Sequence, residues 1–201
     1  MKSPFDLTHQ NQSTDDKIVV ALERISEAFR VLLWEQAKAT GLSPIQIQIL
    51  IFLANHPHTP NTPSYLAKEF NVTKATITDS VRMLMEKKLA IKAKDPNDAR
   101  SYQIHLTEAG KETADSTGSF SENLTQSLSN LPQDVKDNML SGLYETISQL
   151  NQRSVVSVQR MCKNCRFFES QLGRHRCLLL KQTLGNQDLR IDCPEFEARI
   201  D

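Results

Sequence analysis

Glycine is scarce, with six in 201 residues, and these form no cluster able to cradle a phosphate. No nucleophile stands at a meaningful spacing from a base, and no carboxylates are paired for acid–base work, so the marks of an enzyme are missing. No apolar run exceeds Ile49 to Ala54, far short of the roughly 20 residues of a membrane span. The polar N-terminus has no apolar core of the signal-peptide kind. The expectation is a soluble, cytoplasmic protein with no membrane partner. An excess of one charge is also missing: Lys+Arg and Asp+Glu stand at 24 each. No global field steers the chain to a polyanion, and any such contact must use a local patch. There is no internal repeat, and cysteine is absent before Cys162.

What is present is helical periodicity. Ile18, Leu22, Ile25, Phe29, Leu32 and Leu33 recur at intervals of three and four, which predicts one long helix from about Asp15 to Ala39, ended by Gly41. Ser43 is an N-cap with Pro44 in the first turn, and Ile45, Ile49, Phe52 and Leu53 give the next helix a buried side. Thr62-Pro63 repeats that signal for a short helix through Leu66, Ala67 and Phe70, and Asn71 suits the left-handed residue that stops it. Thr73 caps a third helix, Lys74 to about Lys88, with Ile77, Val81, Leu84 and Met85 inward. The spacing is that of a helix-turn-helix.

From Leu89 the period changes to two. Leu89 and Ile91 alternate before Asp95-Pro96-Asn97-Asp98, and Tyr102, Ile104 and Leu106 alternate after it, which predicts a two-stranded wing. Thr107 starts another helix carrying Phe120, Leu124, Leu128 and Leu131, weakened by its serines. Pro132 begins the last, with Val135, Met139, Leu143, Ile147 and Leu150 along one side. The fold class is therefore mainly α with a small β wing: a winged helix-turn-helix between N- and C-terminal helices, plus a small cysteine-rich tail. Residues 1–160 form the first domain, with 42–110 as its core, and 161–201 the second.

The major groove of DNA admits one helix, whose short polar or cationic side chains near its start reach base edges. Lys74, Thr76, Thr78, Asp79 and Arg82 meet that requirement, and Thr73 with the first helical amides suits a phosphate oxygen. Lys92, Lys94 and Arg100 surround the wing tip, and a narrow minor groove attracts arginine. Lys74, Arg82, Lys87, Lys88, Lys92, Lys94 and Arg100 outnumber Asp79, Glu86, Asp95 and Asp98 by three, which supplies the local patch. Such a helix taken alone is only a solvated face; the ordered set of capped helices, hairpin and returning helix is what points to DNA.

Three segments carry a resemblance to a known family: Asn71-Val72-Thr73-Lys74-Ala75-Thr76-Ile77-Thr78, Asp95-Pro96-Asn97-Asp98-Ala99-Arg100-Ser101 and Leu106-Thr107-Glu108-Ala109-Gly110. Together they resemble the multiple antibiotic resistance regulator (MarR) family over the first three quarters of the chain. The resemblance implies homodimers that bind palindromic operators and usually repress, with affinity altered by a small-molecule effector or by cysteine oxidation. It also implies that Arg100 enters the minor groove with Asp98 helping to hold it, and that the long first and last two helices form the dimer. Two recognition helices roughly 34 Å apart would read a pseudo-palindrome. Lys88 stands where that family usually has glycine, and Ala99 replaces a common arginine.

All four cysteines lie in the tail as Cys162-x2-Cys165-x11-Cys177-x15-Cys193, which is not part of that family's pattern. Four thiolates suit either zinc or an iron-sulfur cluster, while scattered structural thiols would not gather in one fifth of the chain. Phe167, Phe168, Leu178, Leu179 and Pro194-Glu195-Phe196 resemble the surround in high-potential iron-sulfur proteins, although the Gly-Trp of that family is lacking. Zinc knuckles usually place glycine after the pair, where Arg166 and Phe167 follow here. The reading leans to a 4Fe-4S cluster over zinc, coupled to the wing through the last helix, whereas zinc would be structural.

His175 is read as a surface residue, His56 and His58 beside prolines as solvated, and His105 as lying on the polar side of the wing. Trp34 and Phe29 are assigned to core or dimer packing. A different class of function, an electron-transfer or protein-interaction module with the winged domain as scaffold, is separated from a regulator by the effect of Arg82→Ala and Arg100→Ala on DNA binding.

Overall fold

The computed structural model describes residues 3–57, 59–94, 101–157, 160–171 and 173–199. Helices α1 (Leu7–Gln10) and α2 (Thr14–Thr40) lead into α3 (Pro44–Asn55), α4 (Pro63–Glu69) and α5 (Lys74–Glu86). Strands β1 (Ala90–Lys94) and β2 (Tyr102–Leu106) follow, then α6 (Glu108–Gly118), α7 (Glu122–Ser129) and α8 (Gln133–Gln152). The tail carries β3 (Phe168–Gln171), β4 (Arg174–Cys177) and β5 (Gln182–Leu184). The architecture is the expected mainly helical one with a small two-stranded sheet, a winged helix-turn-helix. Among the described residues no single helix is long and apolar enough to cross a membrane.

The helix boundaries follow from local chemistry. Ser13 caps α2, and Gly41 ends it in the left-handed conformation (φ 65°). Ser43 and Gln46 form a reciprocal capping box on α3 with Pro44 in the first turn. One stripe was expected on α3, yet Ile47 and Leu50 are as fully buried as Ile49. The reason is that α2, α5, α6 and β2 surround this helix on several sides. Leu66 of α4 and Ile77, Val81 and Leu84 of α5 complete the core with Ala90 and Ile104.

Two expectations are corrected. The helix after Thr107 is not continuous: α6 ends at Gly118, and a 3-10 turn over Ser119–Ser121 separates it from α7. Hydroxyls there bond back to the backbone, Ser116 to the Thr113 carbonyl and Ser119 to the Ser116 carbonyl, each at 3.0 Å, in competition with the helical ladder. In β1 the alternation is offset by one residue, so that Ala90 is buried while Ile91 is 53% exposed. Lys88 adopts the left-handed conformation (φ 61°). The Leu89 amide then donates back to the Leu84 carbonyl at 2.9 Å, so the chain leaves α5 through a tight C-terminal turn before the strand begins.

The Leu-Thr-Glu-x-Gly segment locks this junction. The Thr107 amide donates to the Leu89 carbonyl at 3.1 Å, and its hydroxyl donates to the Lys88 carbonyl at 2.8 Å. That same hydroxyl oxygen accepts from the Gly110 amide at 3.0 Å as the cap of α6. A Cβ on Gly110 would stand 2.0 Å from the Leu89 carbonyl oxygen, so only glycine fits.

Gly110→Ala is expected to destabilise the domain by about 2 kcal/mol or more, because backbone must move. Lys88→Gly is expected to stabilise it by about 1 kcal/mol through relief of the left-handed penalty. Urea denaturation of the two variants beside the parent checks both signs.

Candidate functional site

The helix-turn-helix is positioned by short-range bonds. Thr62 caps α4 by accepting from the Tyr65 amide at 3.2 Å. Asn71 takes the left-handed conformation (φ 51°) expected of it, and Val72 donates to the Ala67 carbonyl at 3.0 Å to close the turn. Thr73 caps α5 through the Thr76 amide at 3.1 Å, and its hydroxyl lies 2.8 Å from that of Thr76. Since Ile77, Val81 and Leu84 turn into the core, Lys74, Thr76, Thr78, Asp79 and Arg82 occupy the opposite, exposed face. The Thr78 hydroxyl donates to the Lys74 carbonyl at 2.8 Å, which leaves its lone pairs outward. Arg82 lies between Asp79 at 3.5 Å and Glu86 at 3.2 Å, two exposed pairs that a phosphate can displace.

Lys92 and Lys94 alternate on one side of β1, both exposed, and the Lys92 ammonium sits 4.5 Å from the centre of the Tyr102 ring. The α5 set and these lysines thus extend from helix to wing. Asp98 and Arg100 lie outside the described residues. His105 is exposed on β2 opposite Ile91, as expected. Phe29 meets Phe120 edge to face at 6.3 Å, whereas Trp34 is half exposed over Arg30, Val31, Glu35 and Lys38.

In the tail, Cys162, Cys165, Cys177 and Cys193 line a single cavity together with Phe167, Phe168, Leu179, Leu180 and Leu184. The polypeptide brings them there by backbone bonds. Cys165 donates to the Cys162 carbonyl at 2.9 Å, Cys162 to Arg190 at 3.2 Å and Cys193 to Arg160 at 3.0 Å. Cys177 ends β4 opposite Phe168 and Gln182 in the antiparallel order β3-β4-β5. Two donors already point at sulfur: the Arg190 amide at 3.2 Å from Cys162 and its guanidinium at 3.5 Å from Cys193. Burial pushes the Cys193 thiol above its ordinary value, partly offset by the Glu195 amide and Arg190. Among the described residues no group of three or more His, Cys, Asp or Glu side chains is placed to hold a single metal ion.

The feature that sequence reasoning missed lies between this cavity and the helix-turn-helix. Arg160 is 10% exposed and reaches Glu69 of α4 at 2.6 and 3.1 Å, Tyr65 at 3.0 Å and Asp192 at 2.6 and 2.9 Å. His56, expected to be solvated, instead stacks on Phe52 at 4.1 Å and bonds Asp192 at 2.8 Å. Burial works against charge on Arg160, yet Asp192 and Glu69 overcome it and hold the guanidinium well above its ordinary value. Burial likewise raises Asp192, but Arg160 and His56 outweigh it and leave that carboxyl below its usual value. Ser157 adds a 2.6 Å bond to Asn71, the turn residue before α5.

A second attachment runs to α8. The Tyr144 hydroxyl accepts from the Lys163 amide at 3.0 Å, Lys163 pairs with Glu145, and Asn164 donates to Asn151 at 2.8 Å. Burial pushes the Tyr144 phenol up to about 12. A cleft of about 610 Å³ remains between tail and core, lined by His56, Tyr65, Arg160, Asp192, Pro194 and Phe196 among others.

Helix-turn-helix, wing and flanking helices define the class of fold, and comparison with known proteins agrees. Residues 40–101 match the model of the MarR family. The structure of a Staphylococcus aureus MepR–DNA complex shares 24% identity with a TM-score of 0.57, over 66% of this chain and 97% of that one. MepR in its DNA-binding conformation gives 24%, a TM-score of 0.59, and 66% and 98%. MepR described as a transcription regulator of the Staphylococcus aureus multidrug efflux pump MepA gives 24%, 0.51, and 65% and 96%. The fold is therefore of the MarR type, and about a third of this chain has no counterpart in these neighbours. The matched family and structures are of transcription regulators and not enzymes. No curated protein matches the chain.

Tyr144→Phe leaves the Lys163 amide without its acceptor. We expect a loss of about 1–3 kcal/mol localised to the tail, seen as faster proteolysis after Arg153 or Lys163 while the helical melting transition of the core stays in place.

Proposed function

We propose that the chain is a homodimeric, sequence-specific DNA-binding transcription regulator, acting as a repressor, whose operator affinity is modulated by a group held on its four-cysteine tail. One observation carries the DNA reading. The first turns of α5 offer Thr73, Lys74, Thr76, Thr78 and Arg82 on one exposed face, with Lys92 and Lys94 beside them on the wing. Helix amides and Lys74 position the phosphates, while Thr76, Thr78, Asp79 and Arg82 read base edges. Asp79 accepts from a cytosine amino group once Arg82 swings to the bases or backbone. Arg100, with Asp98, takes the minor groove in the same reading.

The dimer reading rests on unpartnered apolar surface. Helix α2 has 27 residues, a length of about 40 Å, yet buries only Leu33 and Ala37 fully. Ile18, Val19, Leu22, Ile25 and Phe29 stay exposed on it, as do Val135, Met139 and Leu140 on α8. A second copy is the occupant that also spaces two recognition helices over one turn of DNA. A second reading, a small-molecule effector, is favoured by the cleft at Tyr65, Arg160 and Phe196, which opens between the tail and α4.

Selection of bound duplexes from random DNA is expected to return a pseudo-palindrome with half-sites about 10 base pairs apart. Lys74→Ala should weaken binding evenly across sequences and lower the salt slope by about one for each protomer. Arg82→Ala should cost about 1–3 kcal/mol and relax the sequence preference. Folded variants at Arg82 and Arg100 that bind DNA like the parent would sink the regulator reading in favour of a scaffold. In light scattering, Leu22→Asp with Ile25→Asp should convert a dimer to a monomer.

A further inference from the structure

We infer that the cysteine cavity is the seat of a 4Fe-4S cluster rather than of one zinc ion, and that the loop supplying its fourth thiolate holds the helix-turn-helix through Arg160. The inference rests on the regulator reading only for its consequence, not for the site. The four cysteines line one cavity whose remaining wall is Phe167, Phe168, Leu179, Leu180 and Leu184, with Glu195 as its one carboxylate. A tetrahedral zinc with bonds of about 2.3 Å draws its four sulfurs to within about 3.8 Å of one another. A cube of iron and sulfide binds the same four thiolates, sets them further apart, and is held in an apolar surround of this kind. Hydrogen bonds to the cysteine sulfurs and exclusion of water are also what such clusters use to set their stability. Here the Arg190 amide serves Cys162, and its guanidinium serves Cys193 while pairing with Glu195 at 2.7 Å.

Loading is ligand exchange by a preassembled cluster. Four iron–sulfur bonds to cysteine form, the previous ligands depart, four thiol protons leave and no electron moves.

The route to DNA is short. Cys193 donates its amide to the Arg160 carbonyl at 3.0 Å, and the preceding Asp192 holds the Arg160 guanidinium at 2.6 and 2.9 Å. The same guanidinium grips Glu69 on α4, two residues before the turn that Ser157 also bonds at Asn71. Fixing Cys193 on a cluster therefore fixes Asp192 and Arg160, and with them the angle at which α4 presents α5. The last helix, attached at Tyr144, is a second support and not the main path.

The test begins with full-length protein purified without oxygen. About four irons and four acid-labile sulfides per chain, with a broad band near ~400 nm, are expected, and Cys177→Ser should abolish the band. One zinc per chain, or no metal, overturns the seat. Hydrogen exchange of residues 63–86 is then compared between cluster-loaded protein and protein stripped with an iron chelator. Loading should slow exchange there roughly five-fold or more. Arg160→Met and the milder Glu69→Gln should keep iron content and spectrum while erasing that difference. A difference that survives in both variants overturns the route. None of these readouts uses DNA, so a chain that failed to bind any operator would refute the regulator reading and leave this one standing.

Discussion

The carbonyl oxygen of Leu89 is the point on which the helix-turn-helix and its wing turn. It accepts from Thr107 at 3.1 Å, and the helix after the wing passes so close that a single methyl on Gly110 would stand 2.0 Å from it. The recognition helix, the wing and α6 are therefore one rigid corner, not three elements joined by loops. A helix can read bases only if the wing lies at a fixed angle to it, since each reaches a different groove. That angle is set by bonds among Lys88, Leu89 and Thr107, none of which draws on the exposed face of α5.

Much of this was legible in the sequence because its causes are local. Ser43-Pro44, Thr62-Pro63 and Thr73 announce helix starts by supplying an acceptor for amides a few residues ahead, and each cap is present in the fold. Gly41 and Asn71 announce ends by tolerating a left-handed backbone, and both adopt it. The outward face of α5 follows from the inward placement of Ile77, Val81 and Leu84, because helical period fixes one once the other is known.

The remainder was not legible, for reasons that can be named. Ile91 was placed inward by alternation, yet the left-handed Lys88 shifts the strand by one residue; lysine does not itself mark that conformation, and the glycine usual at this place in the resembled family is its one sign. The serine-rich stretch hid a break that depends on which hydroxyls turn back to the chain. His56 read as a loop histidine because its partner Asp192 is 136 residues away. Arg160 had no pattern around it at all. Its role comes from a contact across the boundary between core and tail, where periodicity holds no information.

That contact also bears on the coupling proposed between the two parts. A ligand shifts an equilibrium only by the difference in its interaction with the two states, so the proposed group on the cysteines would act on α5 only through bonds that change when it binds. Among the described residues two main sets of bonds join the tail to the core. The set at Tyr144 and Asn151 joins it to α8, on which Val135, Met139 and Leu140 stay exposed. The set at Arg160 joins it to Glu69 and Tyr65 on the helix that carries the recognition helix. Arg160 is 10% exposed and Glu69 14%, so neither charge can be released to water without moving the tail, and separating them leaves a largely desolvated carboxylate behind. The two pairs are unequal, since Asp192 is 43% exposed and Glu69 14%, so the contact to Glu69 is the costlier one to lose. A stable dimer would then carry two such clamps, one on each recognition helix, and the pair would need to close together for both half-sites of an operator to be read at once.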